Sequence, residues 1–565
     1  MKRFFHLVFL IALALVIIYP AAKPLFHAEF YQVHDYTHVA RLAEMDLAIK
    51  DGHFPVRWSK NFGFGYGMPL FNFYGPTPFY LGEVFHVAGF GFITSIKMVI
   101  YLSFLGSFLG MYLLAREYWG ALGALVSATA VTYAPYRAVD AYVRGSINEL
   151  FGITFTILAL TFLIKWIRSG HIGWFVAGAF SLFGLITSHN VTALMAIPAI
   201  MIFALVEILN HKSRFLNLAM GMMAMIILGI GLSATYSLPA FAEKNNTSIS
   251  SITTGYFDFH QHFLYLRQFL NSPWGFGGSI YGLEDGLSFE VGKIHLLLAI
   301  MTVLLFLPAF KKLPQLKNVL LISGVIIAGS MLMTTFKTQF IWEHIPLLSF
   351  IQFPWRFLSL IIIFISLLAG GSIMVLSHPK INQIPLTLTC ILLLTVYNQT
   401  YFKPEKYTEH AEDLYYSDPA KIQSKMSNTL PDYIPPGVSQ KLAASPGRYF
   451  LESDGQVTPL SPTINRTQEF LVTVPLKTAS IFTANIFAFP GWRFFVNDKP
   501  VTPTIADNLP VYTLSLDPVI EGSDQIYISG YLAETPVRTL ANIISLLSAG
   551  IVVYITAKSN TKIYG

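Results

Sequence analysis

Long apolar stretches separated by short polar connections organise most of the chain. Runs of about 18 or more apolar residues suffice to cross a hydrocarbon core of about 30 Å. The first, Phe4–Tyr19, follows Met1, Lys2 and Arg3. No small-residue cleavage pattern follows it cleanly, so it reads as an uncleaved first helix rather than a signal peptide. Eleven more runs follow, at about 96–115, 119–138, 147–167, 172–187, 190–209, 216–240, 293–309, 318–335, 355–376, 384–400 and 538–557. The stretch 78–92 is apolar but broken by Gly82, Glu83, Gly89 and Gly91, and reads as a half-buried interfacial helix.

Twelve spans put both termini on one side. With the N-terminus inside, the short inner connections are Arg116–Trp119, Lys165–His171, Asn210–Arg214, Lys311–Lys317, His378–Lys380 and the tail from Lys558, and nearly all carry Lys or Arg. The opposite connections, around 139–146 and 188–190, carry few. This asymmetry makes both termini cytoplasmic and predicts a multi-pass membrane protein. Every long connection (23–95, 241–292, 336–354 and 401–535) then falls outside, and long loops tend to carry function.

Within 401–535 the period changes. The first half is polar and carries Pro431, Pro435 and Pro436. The second half alternates as strands do, in Phe470–Val474, Ala479–Phe489, Trp492–Val496, Val511–Leu516 and Gln525–Tyr531. Asn497-Asp498 between two runs is a hairpin signal. The expected architecture is a polytopic α-helical membrane protein of about twelve transmembrane helices, with an extracytoplasmic β-sandwich before the last one. Its expected parts are a transmembrane domain over 1–400 with the large outer loop 23–95, a mainly-β domain over 401–535, and a final helix over 538–557.

Composition agrees with the pattern. Of 565 residues, 54% are hydrophobic and 12% charged, about half the charge of a soluble domain. The mean hydropathy is +0.55. A soluble multidomain enzyme and a disordered or nucleic-acid-coating chain are excluded. The net charge of +6 reflects topology, and no nucleic-acid partner is expected. One cysteine, Cys390, permits neither an internal disulfide nor a cysteine-based metal site.

Candidate chemistry gathers at the outer ends of the spans. The first loop carries His34, Asp35 and His38 about ten residues past the first helix. The two histidines stand at i and i+4, and the carboxylate beside them suits a general base or a ligand for a divalent cation (Mg or Mn); a helix-start cluster is the plainer alternative. The same loop runs through Arg57-Trp58 into glycines alternating with aromatics over 61–76, a shaped wall for a sugar or an interfacial belt. Around 135–149 stand Arg137, Asp140, Arg144 and Glu149. Charges at a bilayer edge are costly unless paired or wet. An Arg137–Asp140 pair could close that turn, and an arginine there could also bind phosphate. Ser188-His189-Asn190 tips another helix pair, and Gln352-Phe-Pro-Trp-Arg356-Phe357 opens the tenth span where a lipid phosphate would lie. His260-Gln-His262 is a modest metal signal, read as surface. No Walker loop, dinucleotide glycine pattern, zinc cysteine set or Gly-x-Ser-x-Gly elbow is present.

These segments resemble the GT-C superfamily of polytopic glycosyltransferases, which use polyprenyl-phosphate-linked sugars. The chain looks like the bacterial YfhO-like proteins, and more closely like the membrane proteins named for a 6-pyruvoyl-tetrahydropterin synthase-related domain. The likeness rests on His34-Asp35, Gly52–Trp58 leading to Gly63–Pro69, Leu113–Arg116, Ser188–Asn190, Gln352–Phe357 and Phe489-Pro-Gly-Trp492. It implies a GT-C-like fold and an acidic residue in the first outer loop, where Asp35 stands. It implies a second acid between the third and fourth helices, matched by Asp140. Position 33 is Val, where metal-dependent members carry an acid.

The activity this resemblance implies moves a sugar from a polyprenyl-phosphate-linked donor in the membrane lipid to a glycan, lipid or protein acceptor, at the outer face of a bacterial plasma (inner) membrane. Asp35 and Asp140 are the candidate catalytic residues. His34, His38, Arg57, Arg137, His189 and Arg356 are the candidate substrate-binding residues. The alternatives are a transporter or flippase of lipid-linked glycans, and a non-catalytic cell-envelope assembly factor.

Overall fold

The computed structural model describes residues 2–309, 314–376, 382–429, 431–438, 442–517 and 525–561. Among these, eight helices are long and apolar enough to cross a membrane: Leu7–Phe26, Phe92–Thr132, Ile147–Ser169, Asn190–Leu209, Lys212–Leu232, Leu316–Met333, Pro354–Met374 and Pro536–Lys558. Shorter apolar helices run over Ile172–Ser188, Lys293–Phe306 and Gln383–Asn398. Helices suit this composition because each satisfies its own backbone hydrogen bonds without water. The chain is a polytopic α-helical membrane protein carrying a β-domain before its last helix. Of the basic connections expected inside, residues 311–313, 378–380 and 562–565 lie outside the described residues.

Two expected boundaries moved. The spans 96–115 and 119–138 form one helical stretch, Phe92–Thr132, broken at Gly120, where φ is 71° and ψ −175°. The connection Arg116–Trp119 stays helical because its side chains are tied to neighbours. Glu117 accepts from Lys165 at 2.6 Å, and the Trp119 indole donates to the Leu367 carbonyl at 2.7 Å. Only glycine takes φ 71° without strain, so the break falls there. The expected span 216–240 divides at Ser233 into Phe215–Leu232 and Ala234–Ala242. The stretch 78–92 is a short helix, Thr77–Val87.

Packing ranks the helices. The window of Pro354–Met374 is 94% buried within the protein and that of Pro536–Lys558 only 17%. The first is therefore the hub, and the second has an open apolar flank. Small residues let the hub approach its neighbour closely: a Cβ at Gly123 would stand 2.6 Å from the Gly370 carbonyl oxygen.

The β-domain is a sandwich of two five-stranded antiparallel sheets. Its strands are β1 (Tyr449–Ser453), β2 (Gln456–Pro459), β3 (Pro462–Asn465), β4 (Glu469–Pro475), β5 (Ser480–Phe487), β6 (Trp492–Val496), β7 (Lys499–Val501), β8 (Thr504–Ile505), β9 (Val511–Leu516) and β10 (Gln525–Leu532). The sheet orders are β2-β1-β5-β9-β8 and β3-β4-β10-β6-β7. Alternate residues such as Phe470, Val472 and Val474 point inward and are buried, as the period-2 pattern requires. Asn497 and Asp498 both adopt positive φ and make the two-residue turn of the β6–β7 hairpin.

The sandwich is fastened to the first long loop and the last helix. Trp58 is fully buried against Phe489 and Trp492. Arg538 at the start of the last helix bonds Glu243 at 3.0 Å and the Pro490 carbonyl at 3.0 Å. The polar segment before the sandwich is a set of short turns, Asp413–Ser417, Pro419–Lys421, Ile422–Met426 and Pro431–Tyr433, laid against the helical part.

Candidate functional site

Three segments far apart in sequence meet in one cavity of about 570 Å³. The first loop, the 139–146 turn and the Pro354-Trp355-Arg356 corner all contribute walls. Backbone pairing causes the first meeting. The His34 amide donates to the Val143 carbonyl and the Asp35 amide to the Arg144 carbonyl, each at 3.0 Å. His38 Nε2 donates to the Gly145 carbonyl at 2.5 Å. Gly145 has φ 70°, and a Cβ there would lie 2.5 Å from Val33 Cγ2, so the contact needs glycine twice over.

Asp35 sits at the cavity edge with its side chain 27% accessible. Arg41, fully buried, grips it in a two-pronged pair of 2.7 and 2.9 Å. Tyr74 donates to the same carboxylate at 3.1 Å and Thr37 at 3.2 Å. Burial alone would raise its pKa. The Arg41 guanidinium, helped by His38 and the hydrogen bonds, overrides burial and holds the carboxyl well below the usual range. Asp35 is therefore ionised at any physiological pH.

Two guanidinium groups line the same cavity. Arg144 Nη1 donates to Asp140, to Glu149 at 2.8 Å and to the Tyr136 hydroxyl at 3.3 Å, and its plane lies over Trp355 at 4.7 Å. Arg356 Nη1 donates to the Ile351 carbonyl at 2.8 Å and to Gln352 at 2.9 Å, while its Nε stands 3.7 Å from Glu149. Glu149, with no accessible side-chain surface, thus holds both arginines. On each arginine a single terminal nitrogen makes the side-chain hydrogen bonds found among the described residues, and Arg356 Nε has no hydrogen-bond partner there.

His189 caps the helix Asn190–Leu209, its Nδ1 accepting from the Thr192 amide at 3.2 Å, and it lines the cavity. Burial pushes its pKa down to about 3, so it is neutral. His34 also lines the cavity, with Nε2 donating to the Phe276 carbonyl at 2.9 Å.

The other candidates lie elsewhere. His38 is fully buried behind Asp35 as a support. Asp140 is fully buried and pairs with Arg144, so the expected Arg137–Asp140 closure of the turn does not form. The residues 139–144 make a π-turn, and i,i+4 replaces i,i+3 as the contact. Arg137 is buried against the Phe104 ring and donates to Ser107 at 2.6 Å, away from the cavity. Arg57 joins the first loop to the last helix through Glu534 at 2.9 Å and Asn542 at 3.1 Å. Of the remaining pair, His262 is buried, donating to the Tyr256 carbonyl at 2.5 Å and bonding Ser279.

Two wall residues come from an unexpected place. Asp432 and Tyr433 reach the cavity from the polar segment preceding the sandwich. Tyr433 stacks on Phe73 with ring centroids 5.7 Å apart, and Asp432 accepts from Ser251 at 3.2 Å. Burial raises the Asp432 pKa, and the Ser251 bond offsets part of the rise. Among the described residues no three His, Cys, Asp or Glu side chains stand close enough to hold a divalent cation, and the Asp35 oxygens are already engaged by Arg41, Tyr74 and Thr37.

Comparison with known proteins supplies the family. An uncharacterised protein of Lactococcus lactis subsp. cremoris (strain MG1363) is 25% identical over 252 residues, 43% of this chain and 40% of that protein. The chain thus spans well under two thirds of this relative's length. Three solved structures share parts of the outline at low similarity. The mycobacterial arabinofuranosyltransferase AftD has a TM-score of 0.44 at 13% identity, over 72% of this chain and 27% of its own. The Archaeoglobus fulgidus oligosaccharyltransferase has 0.44 at 13%, over 74% and 56%. ArnT from Cupriavidus metallidurans, bound to undecaprenyl phosphate, has 0.37 at 14%, over 76% and 74%. The family model described as oligosaccharyl transferase STT3, N-terminal, matches residues 66–398. That match takes in more than half of the chain, and the protein belongs to this family of GT-C-type polytopic membrane proteins.

Proposed function

We propose that the protein transfers a sugar from a polyprenyl-phosphate-linked donor to an acceptor at the outer face of the plasma membrane. The reading is carried by one observation: the Arg144 and Arg356 guanidinium groups and the Asp35 carboxylate line the same cavity. Arginine presents a planar fork that matches a phosphate, and each of these two has an uncommitted edge.

In the proposed step an acceptor hydroxyl attacks the sugar C1 from the face opposite the lipid phosphate. The new C1–O bond forms as the bond from C1 to the phosphate oxygen breaks, with inversion. The electron pair leaves with the phosphate, and Arg356 and Arg144 meet the added charge. The acceptor proton passes to Asp35. A carboxylate held at low pKa is a weak base, yet it suffices here. The attacking oxygen becomes strongly acidic once it bonds to C1, so the proton moves late. Glu149 fixes the spacing of the arginines, and Asp140 and His38 brace them and Asp35 from behind. His34 and His189 offer neutral polar contacts to the sugar. Asp432 gives the acceptor a second carboxylate to bond.

The test offers purified protein a panel of polyprenyl-phosphate-linked sugars and measures transfer. Asp35→Ala should lose at least 100-fold in rate, and Arg356→Gln should raise KM for the donor. Full transfer by Asp35→Ala would remove the base and with it this mechanism.

A further inference from the structure

A second cavity, of about 390 Å³, opens between the first long loop, the turn around Gln423 and the edge of the sandwich. Its charged lining residues are Lys60 and Arg448, and no carboxylate lines it among the described residues. Asn61, Gln423, Asn465 and Ser445 supply the rest of its polar wall, and no aromatic ring does. We infer that this crevice is a second saccharide subsite, built for a sugar segment that carries an anionic substituent, a carboxylate or a phosphate.

The side chains are held in place before any ligand arrives. Arg448 Nη1 donates to the Lys60 carbonyl at 3.2 Å, which leaves its Nε buried and without a partner among the described residues. The Lys60 ammonium donates to the Asn465 carbonyl. Gln423 donates to Asn61 at 3.1 Å, and Glu44 orients Asn61 from behind at 2.6 Å. Asn485 donates to Ser445 at 3.1 Å. Burial and the nearby Arg448 draw the Lys60 pKa down to about 8, against the opposing pull of Asp51 and Glu44. Two cations sharing a crevice in this way are relieved by an anion.

The lining also says which anion carrier fits. Carboxamides and a hydroxyl offer paired donors and acceptors, which suit vicinal sugar hydroxyls. Without an aromatic platform, recognition rests on hydrogen bonds and charge, so a neutral glycan gains little. The volume lies at the small end of ligand pockets, with room for a short segment rather than a lone ion. Its place follows from the helix His38–Lys50. Asp35 precedes that helix, and Leu47, nine residues past His38, lines the crevice. Nine residues of α-helix span about 14 Å. A growing acidic chain seated at Asp35 can reach the crevice with its next few units. This last point rests on the transferase reading; the binding itself does not.

The test titrates full-length protein in lipid nanodiscs with tri-galacturonate, maltotriose 1-phosphate and neutral maltotriose, by calorimetry. At least one acidic probe should bind saturably, with maltotriose tenfold or more weaker. Arg448→Gln and Lys60→Gln should each weaken the acidic probe tenfold or more, and Arg448→Lys should retain most of the affinity. Should Arg448→Gln not fold, protection of wild-type Lys60 from acylation by the bound acidic probe decides instead. The assignment is overturned by equal affinity for maltotriose, by no binding of either acidic probe, or by unchanged affinity in Lys60→Gln. Full transfer activity in Asp35→Ala would sink the mechanism above and leave these titrations standing.

Discussion

The Asp35–Arg41 pair makes a prediction in which a second mutation repairs the first. In Asp35→Asn the Arg41 guanidinium, fully buried, loses the negative charge and one of its two acceptor oxygens, and keeps the face of Tyr74 at 4.4 Å and a bond to His38 at 3.1 Å. Stranding one partner of a buried ion pair costs about 3–5 kcal/mol. In Arg41→Gln the carboxylate left behind is 27% accessible and keeps its bonds from Tyr74 and Thr37, so the loss is nearer 1–3 kcal/mol. Removing both charges strands neither, and replacing a whole buried pair is often close to neutral. The double variant should therefore be more stable than Asp35→Asn alone, with a coupling of at least about 2 kcal/mol.

The assay is thermal unfolding of the four proteins in one detergent. At about 2 cal/mol/K of unfolding entropy per residue, 565 residues give about 1 °C per kcal/mol. Asp35→Asn should melt about 3–5 °C below wild type, with the double variant recovering more than half of that. Because the Asp35 pKa is depressed by folding, its stabilisation is complete above the unfolded value near 4 and is lost only as pH falls below it. The pattern must therefore be constant from pH 6 to 8. Function separates the variants differently. Unit charges about 4 Å apart attract by about 4 kcal/mol at an effective dielectric of about 20. Partial exposure and the remaining hydrogen bonds cut this by about half, so Arg41→Gln should transfer at pH 8 and show an acid limb raised by about 1.5 pH units. The double variant should stay inactive although it is stable. A double variant that melts below both singles refutes the paired-charge account.

Other consequences follow from the same contacts. Arg144→Gln and Arg356→Gln should each weaken binding of a polyprenyl phosphate at least tenfold, whereas Arg57→Gln and Arg137→Gln should lower the melting temperature and spare lipid affinity; lipid titration and thermal unfolding separate the two. Burial raises the Asp432 pKa and Ser251 restrains it, so transfer that needs ionised Asp432 falls as pH drops through that pKa. Ser251→Ala should move this acid limb upward in a rate-against-pH profile. His189 is already neutral, so His189→Asn, which can keep the helix cap, should lower kcat/KM without changing the profile between pH 5 and 8. A Cβ at Gly75 would overlap the Ser188 carbonyl and stand 2.8 Å from Asn148 Nδ2; Gly75→Ala should cost several degrees of melting temperature and abolish lipid binding.

Much of the fold was legible because a bilayer imposes a coarse rule. A run of apolar residues of the right length is a helix, and this holds nearly everywhere along the chain. The misplacements occur where a tertiary tie overrides local pattern. Glu117 and Trp119 keep 116–119 helical through partners on other helices, and no window of sequence displays that. In the sandwich, β6 and β9 fell where alternation put them, while β1, β2, β3, β7 and β8 went unread. Of these, β2, β3, β7 and β8 have at most four residues, and β2 and β8 are exposed throughout, so they carry little period-2 signal.

The site was legible in its segments and not in its side chains. The acid-bearing first loop, the 139–146 turn and the Pro-Trp-Arg corner do share a cavity. Which arginine faces that cavity depended on a local backbone event. Arg137 and Arg144 are seven residues apart, two turns of an ideal α-helix, and so look equivalent on a helical wheel. The π-turn over Val139–Arg144 breaks the equivalence, carrying Arg144 onto Trp355 and leaving Arg137 buried beside Phe104. Asp432 was hidden for another reason. It is one acid in a polar, proline-rich segment, and it matters only because Tyr433 stacks on Phe73 and Ser251 reaches across to it. A side chain delivered to a cavity by packing from a separate part of the chain leaves no spacing to read. The insertion before the last helix therefore completes the wall of the cavity, and under the proposed transfer it would tie acceptor choice to the least helical part of the protein.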